Sequence, residues 1–164
     1  MMTDVGISGG MLLKRMGTPA EVAAFFMLID RNKAKSADGA LSLVTDRLFR
    51  RTVPGEQYDQ LMEQLAESRR ILRSIRISSD FWDEFHLGDR TVGIDRSALN
   101  AADACQSIFD ALDRAISFAR QDKEDLGYFR PLRLMAWEGP KSYEHKYMPL
   151  EDFEKPDIRP IWME

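Results

Sequence analysis

The chain has 164 residues, of which 44% are hydrophobic and 30% are charged, values typical of one globular domain with a substantial core, here spanning residues 1–164. No apolar run approaches the roughly 18 residues of a membrane span, and the start lacks the features of a secretory signal, so we expect a cytoplasmic protein with no membrane partner. The formal net charge of −4 argues against direct nucleic-acid binding, and the single cysteine excludes an internal disulfide.

The first predicted elements are a strand and a helix. The strand covers residues 2–9 and ends in a turn. The helix begins at a clear signal, because Thr18 is a good N-cap, Pro19 suits the first helical position and Glu21 completes a capping box. Apolar residues fill positions 22–29 on several sides, which predicts a buried helix. Residues 41–45 then fit either a strand or a helical turn.

Two more helices are predicted in the middle of the chain. The second begins at Pro54 and continues to Ile75, and its C-terminal part carries a basic cluster, Arg69, Arg70, Arg73 and Arg76. We interpret this cluster as a solvated helix end that complements the helix dipole, with a phosphate or an acidic partner as the alternative contact. The third helix begins near Asn100, and its stripe of small apolar residues includes Cys105, which is therefore predicted to lie in the core.

The C-terminal forty residues are predicted to be rich in β-structure. Residues 131–137 form a strand that pairs with residues 143–148, and residues 127–164 together form a β-rich extension. The complete pattern predicts an α+β fold, in which about three main helices pack on a small, mostly antiparallel sheet in a single domain.

The sequence contains no recognisable catalytic or metal-binding motif. His86 and His145 are the only histidines, and neither has the spacing of a metal-ligand set. The glycines near the start do not form a phosphate-binding loop. We therefore expect no metal, no organic cofactor and no enzymatic activity.

Residues 79–95 combine five acidic side chains with aromatic ones. Exposed aromatic residues serve as anchors in protein recognition, and carboxylates form a rim that suits a basic partner. The candidate partner-binding residues are Trp82, Asp83, Glu84, Asp89 and Asp95. Ordinary loop packing is the plain alternative. A small hydrolase-type enzyme that uses the region from Trp82 to His86 is the alternative function.

The distribution of charge is also uneven, which indicates either an ordinary solvated acidic surface or a side that attracts a basic partner. Residues 1–76 carry 12 basic and 9 acidic side chains, whereas residues 77–164 carry 11 basic and 18 acidic ones. Such an asymmetry steers a charged partner toward one side of a protein, if the halves of the sequence correspond to sides of the fold.

Several stretches of residues 1–120 together resemble one protein family. They are residues 6–9 and 17–26 near the start, residues 43–49, the long helical stretch 58–75, the Phe81-Trp82-Asp83 motif and the late helical stretch 108–119. These stretches are similar to the opening, the helices and the Trp-Asp motif of small bacterial immunity proteins, in particular immunity protein family seventy.

This resemblance implies a cytoplasmic immunity protein that is made beside a toxin, as in contact-dependent growth inhibition. It would bind the C-terminal domain of its cognate toxin and neutralise it by stoichiometric protein–protein inhibition. Many such toxins are nucleases, and a basic nuclease cleft would suit the acidic side of this chain.

Overall fold

An antiparallel sheet of four strands forms one layer of the fold. The computed structural model describes residues 4–9, 12–36, 41–49, 52–126 and 132–137. Within them the strands are β1 (Asp4–Gly9), β2 (Leu12–Gly17), β3 (Thr52–Val53) and β4 (Leu132–Trp137). The order across the sheet is β2-β1-β4-β3, so that β1 lies at the centre with β4 beside it.

The helices form the second layer. They are α1 (Pro19–Asn32), α2 (Tyr58–Arg73), the single turn α3 (Ala101–Ala104) and α4 (Gln106–Leu126). A π-helical stretch covers Leu43–Leu48, and short 3₁₀ turns cover Lys33–Lys35, Gly55–Gln57 and Asp83–Phe85. Three long helices on a small antiparallel sheet confirm the predicted α+β class.

Helix α4 packs directly against β1 and β2. Val5 and Ile7 are fully buried on the inner face of β1, and Ile7 is paired in register with Leu134 of β4. A Cβ atom at Gly9 would lie 2.2 Å from the carbonyl oxygen of Ala115, so β1 can approach α4 this closely only with glycine at this position. The backbone contact brings the sheet and the longest helix together.

Aromatic rings join α1 to the rest of the core. The Phe25 ring lies edge-on to Phe26 at 5.2 Å and to Phe109 of α4 at 5.1 Å between centroids. Phe26 in turn lies 5.2 Å from the ring of Phe49. These contacts confirm the prediction that α1 is buried, although Met27 on its outer side is exposed. Edge-on ring pairs of this kind stabilise a core beyond their burial alone.

The local signals at the helix starts are confirmed. The Thr18 hydroxyl accepts from the Glu21 amide at 3.2 Å, and the Thr18 amide donates to Glu21 Oε1 at 2.9 Å, which completes the capping box. Asn100 caps α3, because its side chain accepts from the Asp103 amide at 2.9 Å. Cys105 lies in the core, as predicted.

Other boundaries differ from the prediction. Strand β2 was not predicted. Of the two alternatives for residues 41–45, the structure shows the helical one, from residue 42 onward. Pro54 precedes a 3₁₀ turn, and α2 begins four residues later at Tyr58. The predicted third helix is broken at Cys105 into α3 and α4, where the dihedral angles leave the helical range.

The C-terminal prediction is confirmed for one strand. Strand β4 covers Leu132–Trp137 and pairs with β1 and β3. Its predicted partner at residues 143–148 lies outside the described residues. Among the described helices, none combines the length and the apolar character that crossing a membrane requires.

Candidate functional site

The candidate partner-binding residues all lie on the connection between α2 and α3. We call residues 78–99 of this connection the acidic segment. It contains one 3₁₀ turn, Asp83–Phe85, and otherwise follows an irregular path over the surface. Asp83, Glu84, Asp89 and Asp95 are exposed, as a rim for a basic partner requires. Functional residues are commonly presented on such loops when a rigid scaffold positions them.

Trp82 differs from the expectation, because it is only 6% exposed. Its ring lies 4.8 Å from Phe81 and 5.8 Å from Phe85 between centroids, and these three side chains pack onto the core. The expectation of an exposed tryptophan anchor was therefore wrong. The 3₁₀ turn gathers the aromatic side chains on its inner side and leaves Asp83 and Glu84 in solvent, so Trp82 anchors the segment to its own fold.

The first attachment of the acidic segment is to α1. Arg31 Nη1 lies 3.1 Å from Glu84 Oε1, and the Arg31 guanidinium lies 5.3 Å from the centroid of the Phe85 ring. Both partners of the ion pair are about half exposed, so its contribution to stability is small. The contact joins the turn to α1, while the burial of Trp82 holds the turn on the core.

The second attachment is a double hydrogen bond between Arg90 and Asp4 of β1. Nη1 and Nη2 of Arg90 donate to Oδ1 and Oδ2 of Asp4, each at 3.0 Å. Nη2 of Arg15, on β2, lies 2.8 Å from Asp4 Oδ2. Asp4 is buried, and a buried carboxylate requires such partners. Asp89, the neighbouring residue, remains exposed.

The third attachment is made by Glu21, whose side chain is completely buried. Its Oε2 accepts from the amides of Val92, Gly93 and Ile94 at 3.2, 3.0 and 2.8 Å, while Oε1 accepts from Thr18. Successive backbone N–H groups that converge on one point form an anion-binding concavity. Here the anion is a side chain of α1, so Glu21 connects the acidic segment to the first helix.

The approach of the segment to the sheet depends on Gly93. A Cβ atom at this position would lie 2.2 Å from the carbonyl oxygen of Met16.

Sequence reasoning identified Glu21 only as part of a capping box, since its other partners are main-chain amides more than seventy residues away. A Val-Gly-Ile stretch carries no signal that could have revealed this contact.

Two short turns fix carboxylates near the ends of the segment. The Ser78 hydroxyl donates to Asp80 at 2.6 Å, and the Ser97 hydroxyl donates to Asp95 at 2.6 Å. These hydrogen bonds lower the pKa of each carboxyl group. The Asp95 amide also donates to the carbonyl of Ala104 at 2.8 Å, which connects this end to α3. Both carboxylates are therefore charged and held in defined positions at neutral pH.

The alternative interpretation as a hydrolase depends on His86. This residue is exposed and has a left-handed φ of 50° at the end of the 3₁₀ turn. The His86 amide donates to the Asp83 carbonyl at 3.4 Å, a main-chain contact that closes the turn. In the part of the chain that the structure describes, no group of three His, Cys, Asp or Glu side chains could hold a metal. Among the described residues, the contact that joins His86 to Asp83 is made by main-chain atoms and not by the imidazole and the carboxylate.

The basic cluster at the end of α2 divides into two parts. Arg69 lies 3.4 Å from Asp113 and its guanidinium is 4.7 Å from the Phe109 ring centroid, while Arg70 donates to Glu67 and to the Lys35 carbonyl. Arg70, Arg73 and Arg76 are all exposed, which fits a solvated helix terminus.

Cys105 is predicted to be unreactive in the folded protein. Burial, with a smaller contribution from the charge of Glu21, raises the pKa of its thiol to about 12. Because only the thiolate reacts, we expect labelling with iodoacetamide at pH 8 to be at least about 100-fold slower in the folded protein than in urea. Mass spectrometry over time measures this difference, and comparable rates in the two conditions would contradict the buried position.

Comparisons with protein-family models, with curated proteins and with solved structures find no match to this chain.

Proposed function

We propose that this chain is an immunity protein, which binds one cognate toxin domain in the cytoplasm and neutralises it by stoichiometric contact. The observation that carries the proposal is the acidic segment, in which exposed carboxylates stand on a loop attached to the core at three points. The resemblance of residues 1–120 to bacterial immunity proteins supports the same function. A protein inhibitor needs a surface of defined shape and charge, and this segment has both.

The attachments support binding because they reduce the entropy lost on association. A loop that must become ordered when it binds loses affinity, whereas a loop already held in place does not. Glu21, Arg90 and Arg31 hold three successive parts of the segment against α1 and β1. The exposed carboxylates are thus presented by backbone whose position is already fixed.

The charge of the segment favours a basic partner. Residues 78–99 contain five acidic and two basic side chains. The two basic ones are turned toward the protein itself, since Arg90 donates to Asp4 and Arg96 donates to the carbonyls of Gly88 and Arg90. A toxin domain with a basic surface, such as a nuclease cleft, would be attracted to the remaining carboxylates.

The test is the association rate with the C-terminal toxin domain encoded beside this chain's gene. In the variant, Asp83→Asn, Glu84→Gln and Asp89→Asn are combined. Long-range charge acts mainly on encounter, so we expect association to slow about tenfold at low salt and the salt dependence to weaken. Kinetics at two salt concentrations, with survival of toxin-expressing cells as a second readout, measure the effect.

A matched variant controls for the change in net charge. It combines three substitutions of exposed carboxylates on α2 and α4: Glu63→Gln, Glu124→Gln and Asp125→Asn. Its net charge therefore changes by the same amount as that of the variant in the acidic segment. This variant should associate faster than the one altered in the acidic segment. If both variants bind and protect as the unaltered protein does, the segment is not the interface. If the unaltered protein forms no complex with the toxin domain, the proposed function is wrong.

A further inference from the structure

One buried carboxylate holds two parts of the chain that are far apart in sequence. Glu21 Oε1 accepts from the Thr18 amide at 2.9 Å and so closes the capping box of α1. Glu21 Oε2 accepts from the amides of residues 92–94, of which Ile94 is the nearest at 2.8 Å. Oε1 is itself shared, because the Val92 amide also donates to it at 3.3 Å. The first turn of α1 and this part of the acidic segment therefore depend on the same side chain.

Because Glu21 is fully buried, neither part can move away without a cost to the other. If residues 92–94 moved into solvent, the buried carboxylate would lose three amide donors and keep that of Thr18. A buried charge with so few hydrogen bonds is unfavourable. If instead the first turn of α1 unwound and withdrew Glu21, three amides would lose their acceptor. Each opening thus removes interactions that keep the other part closed.

Main-chain packing joins the same two parts of the chain. A Cβ atom on Gly93 would lie 2.2 Å from the Met16 carbonyl oxygen and 3.2 Å from the Gly17 Cα atom. A Cβ atom on Gly17 would in turn lie 3.2 Å from Glu21 Oε1 and 3.4 Å from the Gly93 Cα atom. The two glycines let the backbones cross in direct contact, at the point where β2 leads into α1. Movement of the segment here would also unpack the start of α1.

Other contacts limit the size of this unit. Beyond its first turn, α1 is held by Phe25, whose ring packs on a ring of α4. Directly after the amides that Glu21 binds, the Asp95 amide donates to the Ala104 carbonyl at 2.8 Å. An opening at Glu21 would withdraw Ile94, which is only 1% exposed, but would leave these contacts in place. Such a local opening requires less free energy than global unfolding of the core.

We infer that the first turn of α1 and residues 92–94 form a latch, which Glu21 holds closed and which opens as one cooperative unit. The acidic segment keeps its fixed position only while the latch is closed. By linkage, any partner that binds the closed segment also stabilises the first turn of α1. The inference concerns the conformational equilibrium of the protein alone, so it does not depend on the proposed toxin partner.

Amide hydrogen exchange of the full chain, resolved by NMR, tests the latch. In the unaltered protein, we expect the amides of Thr18, Gly93 and Ile94 to share one protection factor within about threefold. This value should be at least about tenfold below that of core amides such as Leu112. The Thr18→Ala variant removes the cap hydroxyl without altering the segment. It should accelerate exchange at residues 92–94 about fivefold, because the two parts open together.

The control is Ile71→Val, which removes one carbon from a buried position on α2 and should lower global stability by a similar amount. It should leave exchange at residues 92–94 unchanged. If Thr18→Ala also leaves exchange there unchanged, the two parts open independently and the latch is wrong. If both variants accelerate exchange there equally, these amides open only by global unfolding, which overturns the inference as well.

Discussion

We expect the Glu21→Ala variant to lose about 3–5 kcal/mol of unfolding free energy. The substitution removes a buried carboxylate and leaves the amides of Val92, Gly93 and Ile94 without an acceptor in the interior. Unpaired buried donors are each unfavourable, and the capping box of α1 is lost at the same time. Urea denaturation measures the change, and amide hydrogen exchange at residues 92–94 shows whether this part of the acidic segment opens.

Two further variants make the Glu21 experiment specific. Glu21→Gln keeps the size of the side chain but turns one acceptor into a donor facing other donors, so we expect a loss of about 2–3 kcal/mol. Glu63→Ala removes an exposed glutamate from α2 and should change stability by no more than about 0.5 kcal/mol. An unchanged midpoint for Glu21→Ala would show that the carboxylate does not hold the segment.

The second large effect is expected for Phe25→Ala, which should lower the free energy of unfolding by about 3–5 kcal/mol. Phe25 is fully buried, and its ring contacts Phe26 on α1 and Phe109 on α4. The change therefore leaves a cavity between the two helices and removes two ring pairs. Thermal or urea denaturation measures it, with Phe118→Ala as the control for loss of an exposed ring. Equal midpoints for the two variants would contradict the central position of Phe25.

The parts of the fold that were predicted correctly depend on neighbouring residues in the sequence. The start of α1 is defined within four positions by Thr18, Pro19 and Glu21. The start of α3 is defined by Asn100, whose side chain accepts from the amide three positions later. Strand β2 was missed because its sequence, Leu-Leu-Lys-Arg-Met-Gly, has no clear alternation and becomes a strand by pairing with β1. Its state is decided by its partner rather than by its own pattern.

The candidate site was predicted in part, for a similar reason. Composition correctly indicated exposed carboxylates at positions such as Asp83 and Asp89, since such side chains are rarely buried without a partner. Composition could not indicate that Trp82 would be buried against Phe81 and Phe85, or that Glu21 would accept hydrogen bonds from residues 92–94. Both outcomes depend on how distant parts of the chain pack together.

The central position of β1 has a consequence for synthesis on the ribosome. Strand β1 can pair with β2 almost at once, but its other neighbour, β4, ends 128 residues after β1 does. At translation rates of about 5–20 residues per second, one edge of β1 waits roughly 6–26 s for that partner. During this interval the growing chain presents an unpaired strand edge, the kind of surface from which aggregation begins. Timely completion of the chain, or a chaperone that covers this edge, therefore protects the nascent protein until its sheet can close.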